Sequence, residues 1–174
     1  MTTPEELKQY VRDIPGFPQP GITFRDITPL LGHKELFREV VDLMSRGWTD
    51  RQPDLIAAIE ARGFIPGAAI AVKLNAGFVP IRKVGKLPWN TIAEAYQLEY
   101  GTDQLQVHSD AVEPGQKVLI VDDVLATGGT AAAAVRLIRK LGGEVIGVQV
   151  LIELAELGGR KRLPDVEVVS EIVY

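Results

Sequence analysis

The sequence has no cysteine, which excludes disulfides and thiolate metal sites at once. It has no surplus of positive charge either. Nineteen Lys and Arg against 23 Asp and Glu leave a net charge of −4, so no basic field exists to hold nucleic acid or an anionic membrane. Any phosphate site must be a local concentration of donors. No apolar run approaches the roughly 20 residues that cross a bilayer, and the opening MTTPEELKQY lacks the basic-then-apolar layout of a secretory signal. The two histidines, His33 and His108, are too isolated to form a metal site. There is no internal repeat and no low-complexity segment. What remains, 174 residues at 46% apolar and 24% charged, is the balance of one globular domain with a respectable core. A soluble cytoplasmic protein is the expectation.

Hydrophobic pattern and turn residues predict helices over 4–12, 34–48, 66–74 and 130–141, with Thr3 capping the first. Strands are predicted over 55–59, 78–81, 95–100, 104–108, 117–121, 144–152 and 166–173, the last an edge strand. The stretch 14–32 carries four prolines and three glycines and reads as an ordered loop. Residues 82–95 show no period and read as a mobile loop. Alternating β and α units imply a parallel sheet covered on both sides by helices.

The stretch VLIVDDVLATGGT at 118–130 is the most informative. An apolar run ends in Asp122-Asp123, and a Gly-Gly pair flanked by threonines follows. In an open α/β sheet, ligands sit beyond the carboxyl ends of the strands, where the predicted strand puts both aspartates. The turn 124–129 feeds a helix whose first amides lack partners. Those amides, close approach at Gly128 and Gly129, and the hydroxyls of Thr127 and Thr130 make a phosphate site. An acid pair beside an anion cradle suits one molecule that carries both a vicinal diol and a phosphate. A 5-phosphorylated ribose is such a molecule. Two other readings compete. The metal-holding strand of a P-loop NTPase requires G-x-x-x-x-G-K-[ST], which the sequence does not contain. A plain helix-capping turn explains one acid and leaves the other.

EARGF at 60–64 follows a predicted strand at the same sheet edge. Arg62 there is either a fork for a pyrophosphate or a surface arginine. Arg82, Lys83 and Lys86 cluster round Gly85, either as a solvated face or as a basic loop that closes on a polyanion and excludes water.

The 118–130 stretch resembles the phosphoribosyl pyrophosphate (PRPP) signature of the type I phosphoribosyltransferases. PGITFRDITPLL at 20–31, EARGF, RKVGKLP at 82–88, LEYG at 98–101 and LIELAELGGRKRL at 151–163 are similar to the family's adenine phosphoribosyltransferase branch, over essentially the whole chain. The resemblance implies an α/β fold: one domain over 1–174, with a central, mostly parallel sheet flanked by helices. A flexible loop and a small base-binding hood, mainly 14–32 and the C-terminal part, would complete it. It implies transfer of phosphoribose from PRPP to adenine, giving AMP and pyrophosphate, in a likeness that extends to a homodimer. Mg²⁺ would arrive with PRPP or pyrophosphate and water rather than in a protein cage.

By the same resemblance, Asp122 and Asp123 take the ribose hydroxyls, and Ala126, Thr127, Gly128, Gly129 and Thr130 take the 5-phosphate. Arg62, Arg82, Lys83 and Lys86 serve PRPP and its pyrophosphate, with a non-proline cis peptide at Glu60-Ala61. Glu99 handles the purine proton near N7. Phe24 stacks on one face of the base, Val124 covers the other and Leu154 adds apolar contact. The main chain of Thr23, where the family often has a small aliphatic residue, and the side chain of Arg25 read the base edge. From the residues alone, Phe24 reads equally as core and Arg25 as a partner of Asp26. Two neighbouring functions stay open: the same transfer to a 6-oxopurine, and a PRPP-sensing regulator without catalysis.

Overall fold

The computed structural model describes residues 3–97 and 102–174. Thr3 opens helix α1 (Pro4–Lys8): its hydroxyl accepts the Glu6 N–H, and the Glu6 carboxylate accepts the Thr3 N–H at 2.7 Å. This reciprocal cap fixes the helix start. The helix ends earlier than its pattern predicts because Arg12 already belongs to strand β1 (Arg12–Pro15), which pairs antiparallel with β2 (Thr23–Asp26). The proline-rich stretch 14–32 is therefore not a loop throughout. It holds most of this two-stranded sheet and helix α2 (Thr28–Gly32). Its prolines stand at a strand end, in the connecting turn and in the first turn of α2, where a missing N–H costs little.

Helix α3 (Lys34–Arg46) buries Leu36, Val40 and Met44, four residues apart along one stripe. The main sheet has seven strands in the order β5-β6-β4-β3-β7-β8-β9. Strands β3 (Leu55–Ile59), β4 (Gly77–Lys83), β7 (Lys117–Leu125), β8 (Glu144–Glu153) and β9 (Val168–Val173) run parallel. Strands β5 (Thr91–Gln97) and β6 (Thr102–His108) form an antiparallel pair joined to β4 through β6. Val118 and Ile120 of β7 pack with Leu137 of helix α5 (Gly129–Lys140). Leu119 and Val121 pack on the other face with Met44 of α3 and Ile70 of helix α4 (Phe64–Leu74). With both faces covered, the strand reads as an unbroken apolar run.

Two expectations are corrected here. The basic segment 82–95 is only partly a loop: Arg82 and Lys83 end β4, paired with Gln106 and Leu105, and β5 begins at Thr91. These strand ends are at most half-buried, so no clear apolar alternation marks them. Strand β7 continues past Val121 to Leu125 because β8 runs alongside it, pairing Leu125 with Glu153.

Candidate functional site

The uneven ends of β7 make a cleft. Its pairing with β3 stops at Ala58 and Val121, while its pairing with β8 persists to Leu125 and Glu153. After Ile59 the chain leaves the ladder, so from Asp122 onward that edge of β7 has no strand partner among the described residues. Asp122, Val124, Ala126, Thr127, Gly128 and Thr130 line a small cavity there, about 60 Å³. Asp122 Oδ1 accepts the Asp123 N–H at 2.8 Å.

Asp123 is buried, only 5% exposed. Its Oδ2 lies 2.7 Å from Arg62 Nε. The contact is an ion pair without hydrogen-bond alignment, since Asp123 Oδ2 and Arg62 Nη1 are both buried and lack a hydrogen-bond partner. Burial pushes both carboxyls above the ordinary range. The negative charge of Asp123 adds to the effect on Asp122, and the Arg62 guanidinium opposes it on Asp123. Desolvated acids of this kind favour a ligand that brings hydroxyl donors or a cation.

The turn into α5 is shaped from below. Gly128 has φ +80°, and a Cβ there would meet the Gly159 carbonyl oxygen at 2.3 Å. A Cβ on Gly159 would in turn meet the Ala126 oxygen at 2.4 Å. Only glycine allows this backbone-on-backbone contact. Gly159 opens a short 3-10 turn (Gly159–Arg162) held by Arg160. The Arg160 Nε and Nη2 each donate to the Glu153 carboxylate at 2.7 Å, and Nη1 donates to the Val168 carbonyl at 2.6 Å. This bidentate partner holds the Glu153 carboxyl below its ordinary range. The support escaped the reading of the sequence, which took GGRKR only as likeness. Its signal was a Gly-Gly pair followed by arginine.

The loop after β3 lies directly on the acid pair. A Cβ on Gly63 would meet the Ile59 oxygen at 2.5 Å and Asp122 Oδ1 at 2.8 Å. The Glu60-Ala61 peptide is cis, as the resemblance implied. Arg82 Nε donates to Glu60 at 2.6 Å and its Nη1 to the Lys86 carbonyl at 3.2 Å. Lys83 Nζ pairs with Asp103 at 2.9 Å, and the Tyr96 hydroxyl donates to the same carboxylate at 3.2 Å. Two of the three basic residues are thus held by acids, while Lys86 and Trp89 are exposed in the turn 84–90. Glu99 lies outside the described residues.

A larger cavity, about 760 Å³, shares Ala126 and Thr127 with the smaller one. Thr23, Arg25 and Leu154 line it, with Ile22, Glu156 and Leu157, which the sequence did not single out. Val124 lines the smaller cavity instead. The Phe24 ring meets Phe17 edge-on at 5.3 Å, and the Arg62 guanidinium carbon stands 4.5 Å from its centre. Arg25 pairs with Asp13 rather than Asp26. Asp26 instead accepts the Thr28 N–H and hydroxyl, each at 2.9 Å, and the N–H bond is the main cause of its lowered pKa. Among the described residues no group of three or more His, Cys, Asp or Glu is arranged to hold a metal. None of their helices is long and apolar enough to cross a membrane.

Comparison with known proteins agrees with this geometry. The model of the phosphoribosyl transferase domain matches residues 27–173. The adenine phosphoribosyltransferase of Thermotoga maritima is 62% identical over 169 residues, 97% of this chain and 98% of that one. The crystal structure of the Rhodothermus marinus adenine phosphoribosyltransferase superposes with a TM-score of 0.95 at 53% identity, covering 98% of each chain. That of the Saccharomyces cerevisiae enzyme, complexed with D-2,5-dideoxy-2,5-imino-altritol 1,6-bisphosphate and adenine, superposes with a TM-score of 0.92 at 36% identity, covering 97% of this chain and 98% of that one.

Proposed function

This chain belongs to the phosphoribosyl transferase family, and from that premise we propose how its cleft works as an adenine phosphoribosyltransferase. The reaction is transfer of 5-phosphoribose from PRPP to adenine in purine salvage, with AMP and pyrophosphate as products, and it can run in reverse. The turn from Ala126 to Thr130 holds the 5-phosphate with its amides and the Thr127 and Thr130 hydroxyls. Asp122 and Asp123 accept hydrogen bonds from the ribose 2- and 3-hydroxyls. Arg62, Arg82, Lys83 and Lys86 meet the pyrophosphate, the last from the turn 84–90 as it closes and keeps water from the electron-poor ribosyl carbon.

The base sits in the larger cavity against Leu154, with Phe24 and Val124 toward its faces and Thr23 and Arg25 toward its edge. As N9 forms its bond to C1 and the bond from C1 to the pyrophosphate oxygen breaks, the purine must lose a proton. Glu99 takes it near N7 and returns it in the reverse direction. Mg²⁺ supplies neutralisation of the leaving group's charge when bound. Asp123 Oδ2, ion-paired with Arg62 but without a hydrogen-bond donor, leaves the acid pair able to take hydroxyls of a ligand that brings its own cation.

The whole chain acts as one cytoplasmic catalytic domain with its base-binding hood over 14–32 and the C-terminal part. A homodimer is supported by exposed apolar side chains, Ile65 and Val72 on α4 and Phe78 on β4.

One observation carries the reading: a desolvated acid pair runs straight into a glycine-shaped turn, and that turn also lines a cavity of about 760 Å³, with room for a purine base. Incubating the protein with PRPP, Mg²⁺ and adenine, hypoxanthine or guanine in turn tests it. AMP and pyrophosphate should form with adenine only. Product with a 6-oxopurine instead would move the chain to the neighbouring activity, and PRPP binding without product would leave a sensor.

A further inference from the structure

Arg25 is held in a way that its assignment to the base edge does not use. Its Nη1 is ion-paired with Asp13, and its guanidinium carbon stands 3.8 Å from the centre of the Tyr174 ring. Its Nε is buried without a hydrogen-bond partner. Tyr174 is itself tied down at both main-chain ends. Its N–H donates to the Glu153 carbonyl and its main-chain oxygen accepts the Ala155 N–H, each at 2.9 Å. These two bonds flank Leu154, the apolar residue of the same cavity. Lys8 adds a further tie: its Nζ lies 3.9 Å from the Tyr174 ring centre and donates to the Val173 carbonyl at 2.8 Å. One aromatic ring therefore joins the two-stranded hood, the end of β8 and the first helix.

We propose that Tyr174 is a positioning residue for base selection, holding the Arg25 guanidinium in one place at the edge of the cavity that takes the purine. The proposal rests on the reading of Arg25 as a base contact. A flexible arginine loses side-chain freedom when it binds, and a guanidinium already laid on a ring and clamped by a carboxylate has lost that freedom beforehand. The base then gains selectivity from a residue that does not line its cavity.

Steady-state kinetics on Tyr174→Leu, Tyr174→Phe, Asp13→Asn, Arg25→Ala and the double variant Arg25→Ala/Tyr174→Leu test this. Tyr174→Leu should raise KM for adenine by about 2- to 30-fold, the span of a cation–π contact, with KM for PRPP changed less than about 2-fold and the melting temperature kept. Tyr174→Phe retains the ring and should restore the wild-type KM. Asp13→Asn, at an exposed site, removes the other clamp without touching the core and should shift KM for adenine in the same direction, even if Tyr174→Leu folds poorly. The double variant should be no worse than Arg25→Ala, because both changes remove one device. If Arg25→Ala raises KM for adenine while Tyr174→Leu and Asp13→Asn do not, the proposal fails and the base-pocket reading stands. If Arg25→Ala itself leaves adenine untouched, both fail. A parallel rise in both KM values with a lower melting temperature would mean general loosening, and would also overturn it.

Discussion

The cleft has two halves, one proposed to take the phosphate and the other the base, and they are built by different means. The phosphate half is contiguous: Asp122 to Thr130 supplies its acids, amides and hydroxyls, and its shape depends on backbone atoms that meet at Gly128 and Gly159. The base half is assembled from Ile22 to Arg25, Leu154 to Leu157 and, behind them, Tyr174, and side chains hold it together. A site made of backbone cannot give way without losing its ligand geometry. A site made of side-chain contacts can lose one of them and keep the others. The halves should therefore respond differently to small changes.

The harshest probe of that contrast is Gly128→Ala. A left-handed backbone costs a non-glycine residue about 1–3 kcal/mol, and the new Cβ would stand 2.3 Å from the Gly159 oxygen. We expect kcat/KM for PRPP to fall about 100-fold or more, since each 1.4 kcal/mol is tenfold. A variant that binds PRPP normally would show that the turn is not backbone-built after all.

Asp123→Asn should come next. It keeps the side chain's shape but gives up charge-assisted hydrogen bonds worth about 1.5–3 kcal/mol, or about 10- to 150-fold in kcat/KM for PRPP. Since Asp123 is buried beside Arg62, circular dichroism should accompany the kinetics. A folded variant with unchanged PRPP kinetics would remove the diol role.

Two acids around the turn 126–130, Asp122 in its cavity and Glu153 in the support beneath it, should oppose each other in stability. The Asp122 carboxyl, raised above 3.8 in the fold, binds protons more readily folded than unfolded. Its ionisation therefore costs stability as pH rises from about 3.8 through its raised value. Glu153, lowered below 4.5 by Arg160, contributes stability that is complete above 4.5 and lost as pH falls through its folded value. At pH 7, Asp122→Asn should raise the melting temperature of the ligand-free protein and Glu153→Gln should lower it. For a domain of this size each kcal/mol appears as about 2–4 °C. Melting curves from pH 8 down to about 3 should show the Asp122 difference shrinking as pH falls toward 3.8, and the Glu153 difference holding above 4.5 and shrinking only below it. Shifts of the same sign in both variants would break the contrast.

The smallest expected signal is optical. Trp89 is 64% exposed in the turn 84–90, whereas Trp48 is fully buried and donates to Gln149 at 2.7 Å. If that turn closes on PRPP and Mg²⁺, intrinsic fluorescence should change and Trp89→Phe should abolish the change. A change that survives in Trp89→Phe would place the movement in the scaffold.

What the sequence determined by itself is the part made of near neighbours. VLIVDDVLATGGT specifies strand, acid pair, cradle and helix within 13 residues, because strand burial, glycine φ and unpaired helix amides are local properties. The parallel sheet was legible for the same reason, through apolar runs buried on both faces. Only the tertiary structure decided the rest. The hairpin of β1 and β2 was hidden because strands of four residues are too short to show alternation and prolines fill the turn between them. The partner of Arg25 proved to be Asp13 across that hairpin, not the adjacent Asp26, because neighbours along a strand point to opposite faces. Gly159 reaches Gly128, and Tyr174 reaches Arg25, across 31 and 149 residues of chain. Nothing in the local pattern of either segment encodes such a meeting. The stacking of β7, β8 and β9 brings their ends to one edge, and packing then puts those side chains within reach.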